Sequence, residues 1–323
     1  MSTRTFSPNL LTGLALAGSA LLATPAAAQM MPTVARQAKL YNTVSVHLNA
    51  MNYFGDLVPG TAFTSFRFGA TRPNLGVSFS HRFAPRITGR ASLSYGRITG
   101  DDKKKTDQND KDAIYRYNRN LRFRNDIVEV STVALIDLFE NRGTYLKRRD
   151  FSPYVFLGLA GFYHNPKGND QRDGKGNWVA LQPIGTEGQQ TGDAVRAQKG
   201  YDDPYKRVQI SIPFGLGVNY KLSRQLNLGY EIGWRKTFTD YLDDVSGNYA
   251  DPADLKDARA RLLADPSEER FNDPNDPDFI QFGGAYGNRI SKRGTNNEDD
   301  WYIVSGFHLS YILIPDTKSP KFR

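Results

Sequence analysis

The sequence predicts an all-β protein, an eight-stranded antiparallel transmembrane β-barrel of the outer-membrane type. Several segments alternate apolar and polar side chains with a period of two, which is the period of a strand with two different faces. Eight such segments can be counted, an even number. Long and short connections alternate between them, as the outer loops and inner turns of bacterial barrels do.

The N-terminal residues 1–28 have the pattern of a secretory signal peptide. One basic residue precedes an apolar run from Leu10 to Leu22, and a series of small residues ends at Ala28. We therefore expect cleavage near Ala28/Gln29, export, and a mature chain in which residues 29–323 form a single barrel domain. The chain has no cysteine, which excludes a lipoprotein anchor, disulfides and thiol chemistry.

The segment Gln225–Thr239 shows the alternation most clearly. Apolar residues occupy the even positions from Leu226 to Trp234, and the residues between them are small or polar. A three-residue turn separates it from the preceding alternating segment, so the two form a hairpin. The fifth segment alternates poorly and is placed by the turn residues around it. In chain order, the predicted strands are Thr43–Tyr53, Pro73–Phe83, Ile87–Ile98, Asn125–Phe139, Pro153–His164, Tyr205–Leu222, Gln225–Thr239 and Trp301–Ile314.

Long extracellular loops follow the odd-numbered strands, and the largest spans residues 240–300. A soluble lipocalin-like barrel has the same period with its apolar face pointing inward, so the period alone leaves this alternative open. Strand length, loop asymmetry and aromatic residues near the strand ends favour the membrane barrel. Those aromatic residues are Tyr53, Tyr95, Tyr220, Trp234 and Trp301.

The polar strand faces carry ionisable side chains that would point into the barrel. An eight-stranded barrel has an interior just wide enough to be filled by side chains, and unpaired charges there would be costly. We therefore predict a paired polar network in the lumen, with a proton or ion path as the alternative. Its predicted members are His47, Arg82, Arg90, Glu129, Asp137, Glu231 and Arg235.

The chain is basic, and its charge is divided unevenly between the two ends of the predicted barrel. The predicted periplasmic segments are basic, whereas residues 240–300 are acidic. A basic surface suggests lipopolysaccharide, phospholipid headgroups or nucleic acid as partners, and export makes nucleic acid the poor choice. The basic end predicts docking of an acidic periplasmic protein, contact with inner-leaflet phosphates, or an orientation bias without a partner. The docking candidates are Arg86, Lys147, Arg148, Arg149, Arg224, Lys318, Lys321 and Arg323.

The largest outer loop is predicted to contain a short helix. Asp251 can cap it, Pro252 suits its first position, and Pro266 ends it. The predicted apolar stripe is Leu255, Ala258 and Leu262.

The stretch TFTDYLDDVSGNYADP, residues 237–252, leads from the seventh strand into an acidic cluster. Asp240, Asp243 and Asp244 offer oxygen ligands suited to Ca²⁺, but their spacing does not match an EF-hand loop. The alternative is that these carboxylates cap and solvate the mouth of the loop. We expect this architectural role, with calcium as the weaker hypothesis and no cofactor.

No catalytic motif accompanies these residues. His164, at the outer end of the fifth strand, is the only histidine placed for a lipid-acting site at the barrel rim, and no serine elbow or paired carboxylates accompany it. The protein is therefore predicted not to be an enzyme. Lys103-Lys104-Lys105 is interpreted as a solvated loop tip, with lipopolysaccharide contact as the alternative.

Four segments carry a resemblance to a known family: SPYVFLGLAGFYHNPKG (residues 152–168), LQPIGTEGQ (181–189), TFTDYLDDVSGNY (237–249) and SPKFR (319–323). They resemble a Bacteroidota family of outer-membrane β-barrels of unknown function, the DUF6089 type, related to PorG of the type IX secretion and gliding machinery. The resemblance implies an outer-membrane anchor whose periplasmic side contacts periplasmic secretion components. PorG has a shorter Asp-Asp-Leu-Asp-Gly run and a smaller last outer loop, which leaves open a paralogue with another task.

Two functions follow from these observations. One is a structural anchor of the secretion machinery that docks a periplasmic partner through its basic end. The other is a small surface barrel for adhesion, ligand binding or envelope integrity, with a narrow porin as a further alternative. Each places the protein in the outer membrane.

Overall fold

The computed structural model describes residues 40–57, 69–103, 117, 119–171, 173–267, 292–295 and 299–314. The predicted signal peptide lies outside them. None of the helices in the described part of the chain has the length and apolar character needed to cross a bilayer. The strands are β1 (Asn42–Phe54), β2 (Arg72–Arg82), β3 (Ile87–Asp101), β4 (Arg122–Asp137), β5 (Phe151–Tyr163), β6 (Pro166–Asn169), β7 (Trp178–Ala180), β8 (Val208–Lys221), β9 (Leu226–Thr237) and β10 (Trp301–Leu313). The α-helices are α1 (Asp193–Lys199) and α2 (Ala258–Ala264), and short 3-10 helices occupy Tyr145–Lys147 and Pro252–Asp254.

Eight of these strands close into an antiparallel barrel, as predicted. β1 pairs with β2 on one side and with the last strand, β10, on the other, so that His47 lies opposite both Gly76 and His308. The other neighbours are β2–β3, β3–β4, β4–β5, β5–β8, β8–β9 and β9–β10, all antiparallel. Closure pairs the backbone of the barrel strands without leaving a free edge, which is the condition for a sheet to cross a bilayer.

β6 and β7 form a hairpin outside the barrel, in the third outer loop. β6 pairs with the first residues of β4, with Pro166 opposite Asn125, and β7 pairs with β6. The sequence does not predict this hairpin, because strands of four and three residues are too short to show a period of two.

The large apolar side chains of the barrel strands point outward. Val46, Val130 and Leu157, on three different strands, are 63%, 60% and 59% exposed. Water-soluble proteins rarely expose so continuous an apolar surface. A soluble barrel would place this face inside, so the structure contradicts the lipocalin-like alternative, and the fold is that of an outer-membrane β-barrel.

Aromatic residues near the strand ends share this outward face, with one exception. Tyr53 is buried and points into the barrel mouth, because the odd-numbered residues of β1 face the lumen. Its prediction as a membrane-interface residue is therefore wrong. The outward aromatic residues are Tyr95, Tyr220, Trp234 and Trp301.

Apolar side chains also fill part of the lumen, which the sequence predicts to be polar. β4 and β5 carry apolar residues on both faces, so that Val133 and Phe156 pack inside the periplasmic half of the barrel. A larger cluster lies at the outer mouth, where Met51 and Ile127 of the strands meet Leu242 of the last loop. The main hydrophobic core thus joins the barrel to its outer loops.

The predicted helix of the last outer loop is wrong in its extent. Asp251 caps only the short 3-10 helix, after which Leu255 adopts an extended conformation. Asp257 then caps the separate helix α2 by accepting a hydrogen bond from the Ala260 N–H. Because Asp251 and Asp257 can each cap a helix, the segment forms two short helices instead of one. Of the predicted stripe only Leu255 is buried, and the other buried residues are Ala260, Leu263 and Ala264.

The outward face provides a test of membrane insertion. Leu157→Arg, at the middle of β5, should destabilise the barrel in lipid vesicles by about 2–4 kcal/mol, because the charge sits at the bilayer midplane. Phe151→Arg, on the same face at the first residue of β5, should cost about 0–1 kcal/mol near the membrane surface. The measurement is the urea-dependent folding equilibrium in vesicles. Equal, small losses at both sites would contradict a membrane-spanning barrel.

Candidate functional site

The middle of the lumen is crossed by an ion pair between Arg90 on β3 and Glu231 on β9. The guanidinium donates to both carboxylate oxygens, at 2.7 and 3.0 Å, and the Tyr154 hydroxyl donates to the same carboxylate at 2.9 Å. Arg90 also lies over the Phe156 ring, 5.4 Å from its centroid. The pair neutralises both charges and braces two strands that are not neighbours.

A second ion pair lies closer to the outer mouth. Glu129 on β4 is 3.4 Å from the Nε of Arg235 on β9 and accepts a hydrogen bond of 2.6 Å from the Tyr302 hydroxyl. Three buried groups on three strands therefore meet in the lumen. The arrangement leaves the carboxylate with a cation and a hydroxyl as partners, as a buried charge requires.

The other predicted lumen residues lie in the periplasmic half and on β1. Arg82 and Asp137 form an ion pair at 2.8 Å. His47 has a polar rather than a charged partner, since its Nε2 is 2.8 Å from the Ser78 hydroxyl. The His308 ring lies 5.2 Å from that of His47. All seven predicted lumen residues thus face the lumen, six of them in ion pairs.

The predicted docking residues on the short turns differ in exposure. Arg148 is only 6% exposed, and its guanidinium donates to the carbonyl oxygens of Ser223 and Leu226. Those carbonyls lie at the β8–β9 turn, so Arg148 ties two turns together and its assignment to partner docking is corrected. The exposed candidates are Arg86, Lys147, Arg149 and Arg224. Lys318, Lys321 and Arg323 lie outside the described residues.

At the outer mouth, the Tyr53 hydroxyl lies between two buried carboxyl groups. Its oxygen is 2.6 Å from Asp243 and 2.8 Å from Asp300. A phenol has one hydrogen to donate, so the second contact requires a protonated carboxyl that donates to the phenol oxygen. The other oxygens of these carboxyl groups accept backbone N–H groups, from Val245 and Leu242 respectively. The Tyr53 hydroxyl therefore joins the barrel to the last loop through hydrogen bonds with both carboxyl groups.

Asp244 connects the last outer loop to the third. Its φ of 70° lies in the left-handed region, which aspartate tolerates better than most residues. The carboxylate accepts hydrogen bonds from the hydroxyls of Thr186 and, at 2.5 Å, Tyr205. Tyr205 in turn stacks on Tyr241, with 4.7 Å between ring centroids. The predicted solvation of Asp243 and Asp244 is therefore wrong, because other loops cover both carboxyl groups.

Arg293 is the largest fully buried side chain of the described residues and links three loop segments. Its Nη1 donates to Glu187 at 2.9 Å and to the carbonyl of Asp244 at 2.5 Å, and its Nε donates to the Ala264 carbonyl at 3.0 Å. Glu187 also accepts the backbone N–H of Ser246 at 3.0 Å. The third and last loops are thus held by one cation.

Arg119 extends this network to the first two outer loops. It donates to both carboxylate oxygens of Asp102, at 2.8 and 2.9 Å. It also donates to the carbonyls of Asp56 at 2.9 Å and Arg293 at 2.5 Å. Residues of all four outer loops therefore form a buried polar network, which we call the cap; its charged and phenolic members are Tyr53, Asp102, Arg119, Glu187, Tyr205, Asp243, Asp244, Arg293 and Asp300.

Burial raises the pKa values of several carboxyl groups at the cap. That of Asp240 rises to about 9 and that of Asp244 to about 6, chiefly because burial disfavours the charged form. Burial and nearby carboxylates raise the pKa values of Asp243 and Asp300 well above the usual value. At neutral pH Asp240 therefore holds a proton, whereas Asp244 ionises beside Arg293.

The three predicted calcium ligands do not converge. Asp243 contacts Tyr53, whereas Asp244 contacts Thr186 and Tyr205. In the described ranges, no three His, Asp or Glu side chains are arranged to hold a metal ion. The structure instead places Asp300 near Asp243. Asp300 lies sixty positions after Asp240, the first residue of the acidic cluster.

His164 lies beneath the cap rather than at an open rim. Its Nε2 is 3.2 Å from the Lys206 carbonyl, and its ring stacks on Tyr205 with centroids 6.0 Å apart. Burial lowers its pKa to about 4, so the imidazole is neutral at neutral pH. Its hydrogen-bond partners in the described residues include neither a serine nor a carboxylate.

Sequence reasoning missed most of the cap because charged loop residues resemble solvated ones. Arg119 and Arg293 stand alone in polar loops, with no periodicity to indicate burial. Only the tertiary arrangement brings them to carboxylates from other loops. The cap closes and couples the loops, and no arrangement of nucleophile and base accompanies it in the described residues.

Removing the central cation should open the cap. Arg293→Met leaves Glu187 and Asp244 buried without their cation, so the local unfolding free energy of residues 239–267 should fall by about 3–5 kcal/mol. Hydrogen exchange of that segment measures the change. Arg259→Met, which breaks a half-exposed pair with Asp170, should cost about 0–1 kcal/mol. Equal effects of the two variants would contradict the central role of Arg293.

The raised pKa values predict that the cap loosens as pH rises. Asp240 and Asp244 bind protons more tightly in the folded cap than in an unfolded chain, whose Asp pKa is about 3.9. Their stabilising contribution is therefore full below about pH 4 and is lost as pH rises through about 6 and then 9. Hydrogen exchange of residues 239–267, corrected for intrinsic rates, should show this trend.

Asp240→Asn should reduce the pH dependence of cap exchange between about pH 6 and 9, since the amide does not titrate in that range. Asp193→Asn, at an almost fully exposed position of α1, is the matched control and should leave the profile unchanged. A flat profile in the unaltered protein would contradict the assignment of buried protons to the cap.

The chain was compared with solved structures and with curated proteins. Similar structures include Ail of Yersinia pestis, with 6% identity, 85% of this chain and 99% of that chain covered, and a TM-score of 0.37. Neisserial surface protein A shows 9% identity, 85% and 96% coverage and a TM-score of 0.31, and OprG of Pseudomonas aeruginosa shows 8%, 86%, 98% and 0.32. No curated protein sequence matches the chain.

These structural likenesses are too distant to bear on function. The match to a sequence family is more specific to this chain, although it covers only the N-terminal part of the barrel. Residues 26–180, just under half of the chain, match the family described as a domain of unknown function, DUF6089.

Proposed function

We propose that this protein is a non-enzymatic outer-membrane barrel that serves as a structural anchor. The observation that carries this proposal is that the lumen is filled by paired side chains and its outer mouth is covered by the cap. A barrel closed in this way offers the membrane a rigid platform rather than a passage. Export through a cleaved signal peptide, with cleavage near Ala28/Gln29, belongs to the same proposal.

The size of the remaining lumen space supports an anchor over a narrow porin. The cavity beside Arg90, Glu129 and Glu231 measures about 30 Å³, enough for only a few water molecules. The side chains that line it are held by ion pairs across the barrel. Conduction would require those pairs to break together.

A finer proposal concerns the periplasmic end. The resemblance to PorG-related barrels suggests docking to periplasmic components of the type IX secretion machinery, in a bacterium of the Bacteroidota. The exposed cations Arg86, Lys147, Arg149 and Arg224 lie on the short turns and provide a basic surface for an acidic partner. Arg148 supports that surface by holding two turns together.

A second candidate function is favoured by the cap itself. Outer loops ordered by the buried groups Arg119, Glu187 and Arg293 present a defined surface to the exterior. Such a surface suits adhesion, ligand binding or envelope integrity, and lipopolysaccharide is the anionic partner next to it. Nucleic acid is not proposed as a partner.

Charge reversal on the inner turns tests the docking proposal. A variant with Arg86, Lys147, Arg149 and Arg224 each replaced by Glu should lose about 90% of the periplasmic protein that co-purifies at low salt, because like charges then face the acidic partner. The measurement is quantitative mass spectrometry after gentle detergent extraction through an outer-loop tag.

Lys175→Glu with Lys256→Glu, two exposed cations of the outer loops, is the matched control and should leave co-purification unchanged. A barrel recovered alone at low salt would contradict docking and favour a function of the outer loops. Steady channel conductance in planar bilayers would contradict the closed lumen.

A further inference from the structure

A basic groove lies on the outer wall of the barrel, where β3 and β4 leave the membrane. It encloses about 580 Å³, within the range of small-molecule sites. Five basic side chains line it, against the two acidic ones Asp101 and Asp173. The groove is defined by Arg72, Arg97, Lys103, Arg122, Arg124 and Trp178.

Arg124 occupies the centre of the groove without a carboxylate partner among the described residues. Its guanidinium lies over the Trp178 ring, 4.7 Å from the centroid, which fixes its plane. Its Nε is buried and has no hydrogen-bond acceptor. A guanidinium held against an aromatic ring, with no carboxylate ion pair among the described residues, is suited to receive an oxyanion.

The neighbouring cations are only partly neutralised. Arg97 pairs with Asp126 at 2.5 Å, and that carboxylate also serves Lys167 at 3.7 Å. Arg122 lies 3.4 Å from Asp101. With Asp126 and Lys167 included, six cations face three carboxylates, so an excess of positive charge remains. The guanidinium groups of Arg97 and Arg124 are close enough to repel one another, and a bound anion would relieve that repulsion.

The height of the groove indicates which anions reach it. Arg97 follows the outward aromatic residue Tyr95 by two positions on β3, about 7 Å along the strand. Outward aromatic residues lie at the membrane–water interface, so the cations sit at the level of the outer-leaflet headgroups. Arg97 and Arg124 are on the wall of the barrel, not in its lumen.

We propose that the basic groove binds a phosphorylated sugar headgroup, supplied by a glycolipid of the outer leaflet. Guanidinium groups match the geometry of phosphate oxygens, and Trp178 offers an apolar face against which a sugar ring can pack. The inference rests on the proposed outer-membrane anchor, because only a barrel in that membrane brings the groove to the headgroups. It adds a lipid-binding site to the wall of that anchor.

The test uses the full-length protein in phosphatidylcholine nanodiscs and two probes, bisphosphorylated lipid A and its dephosphorylated form. Native mass spectrometry should show at least about tenfold tighter binding of the phosphorylated probe, as expected when one charge-assisted contact of 1.5–3 kcal/mol is added. Equal binding of the two probes would overturn the proposal. Binding of free glucosamine phosphate as tight as that of lipid A would assign the groove to a soluble ligand and overturn the lipid source.

Substitutions locate the site. Arg124→Gln should weaken binding of bisphosphorylated lipid A about tenfold, whereas Arg124→Lys, which keeps the charge but not the planar guanidinium, should weaken it less. Lys256→Gln, which removes an exposed cation of the last outer loop that does not line the groove, is the matched control. Unchanged binding in a correctly folded Arg124→Gln barrel would overturn the groove proposal while leaving the anchor standing. A protein that fails to insert into nanodiscs at all would overturn the anchor as well.

Discussion

The closure of eight strands into a narrow barrel is the constraint on which the rest of this structure depends. Each backbone N–H and carbonyl group in the bilayer needs a hydrogen-bond partner, so the last strand, β10, must pair with the first, β1. Eight strands leave an interior that side chains fill, and a charge placed there must find its opposite. The Arg90–Glu231 and Glu129–Arg235 pairs meet this requirement by joining β9 to the far wall. Closure of the barrel therefore requires both that side chains fill the lumen and that the charged side chains in it are paired.

The same rule governs the outer mouth, where the apolar core emerges from the barrel. Loops that cover Met51 and Ile127 also bury their own polar groups, and those groups need partners. Arg119 and Arg293 supply donors to carboxylates and backbone carbonyls of four loops, while the Tyr53 hydroxyl forms hydrogen bonds with two carboxyl groups. The cap is thus a continuation of the barrel core. The buried carboxyl groups of these loops thus find their partners within the loops and the barrel.

The outer surface of the barrel is subject to a different constraint from the lumen, because its two ends face charged surfaces. The periplasmic turns expose cations and use Arg148 internally, while the outer wall gathers cations around Arg124 and Trp178. These surfaces are the places where a closed barrel can still interact with other molecules. The proposed anchor would need such contacts, because side chains fill its lumen. The proposed periplasmic partner and the proposed glycolipid would hold opposite ends of one rigid body.

The sequence by itself predicted a closed barrel of eight strands, because a period of two over eight segments and an alternation of long and short connections repeat along the chain; the outward apolar face of the structure then excluded the soluble alternative. It also placed seven ionisable residues in the lumen, since side-chain direction follows from parity along a strand. It could not determine that Tyr53 points inward, that Arg148 is buried, or that Asp243 meets Asp300. The odd or even position of a residue assigns its side chain to one of the two faces of a strand, but it does not show which face points outward at a strand end. Loop residues have no period at all. Those contacts join residues far apart in the chain, so only the tertiary structure decided them.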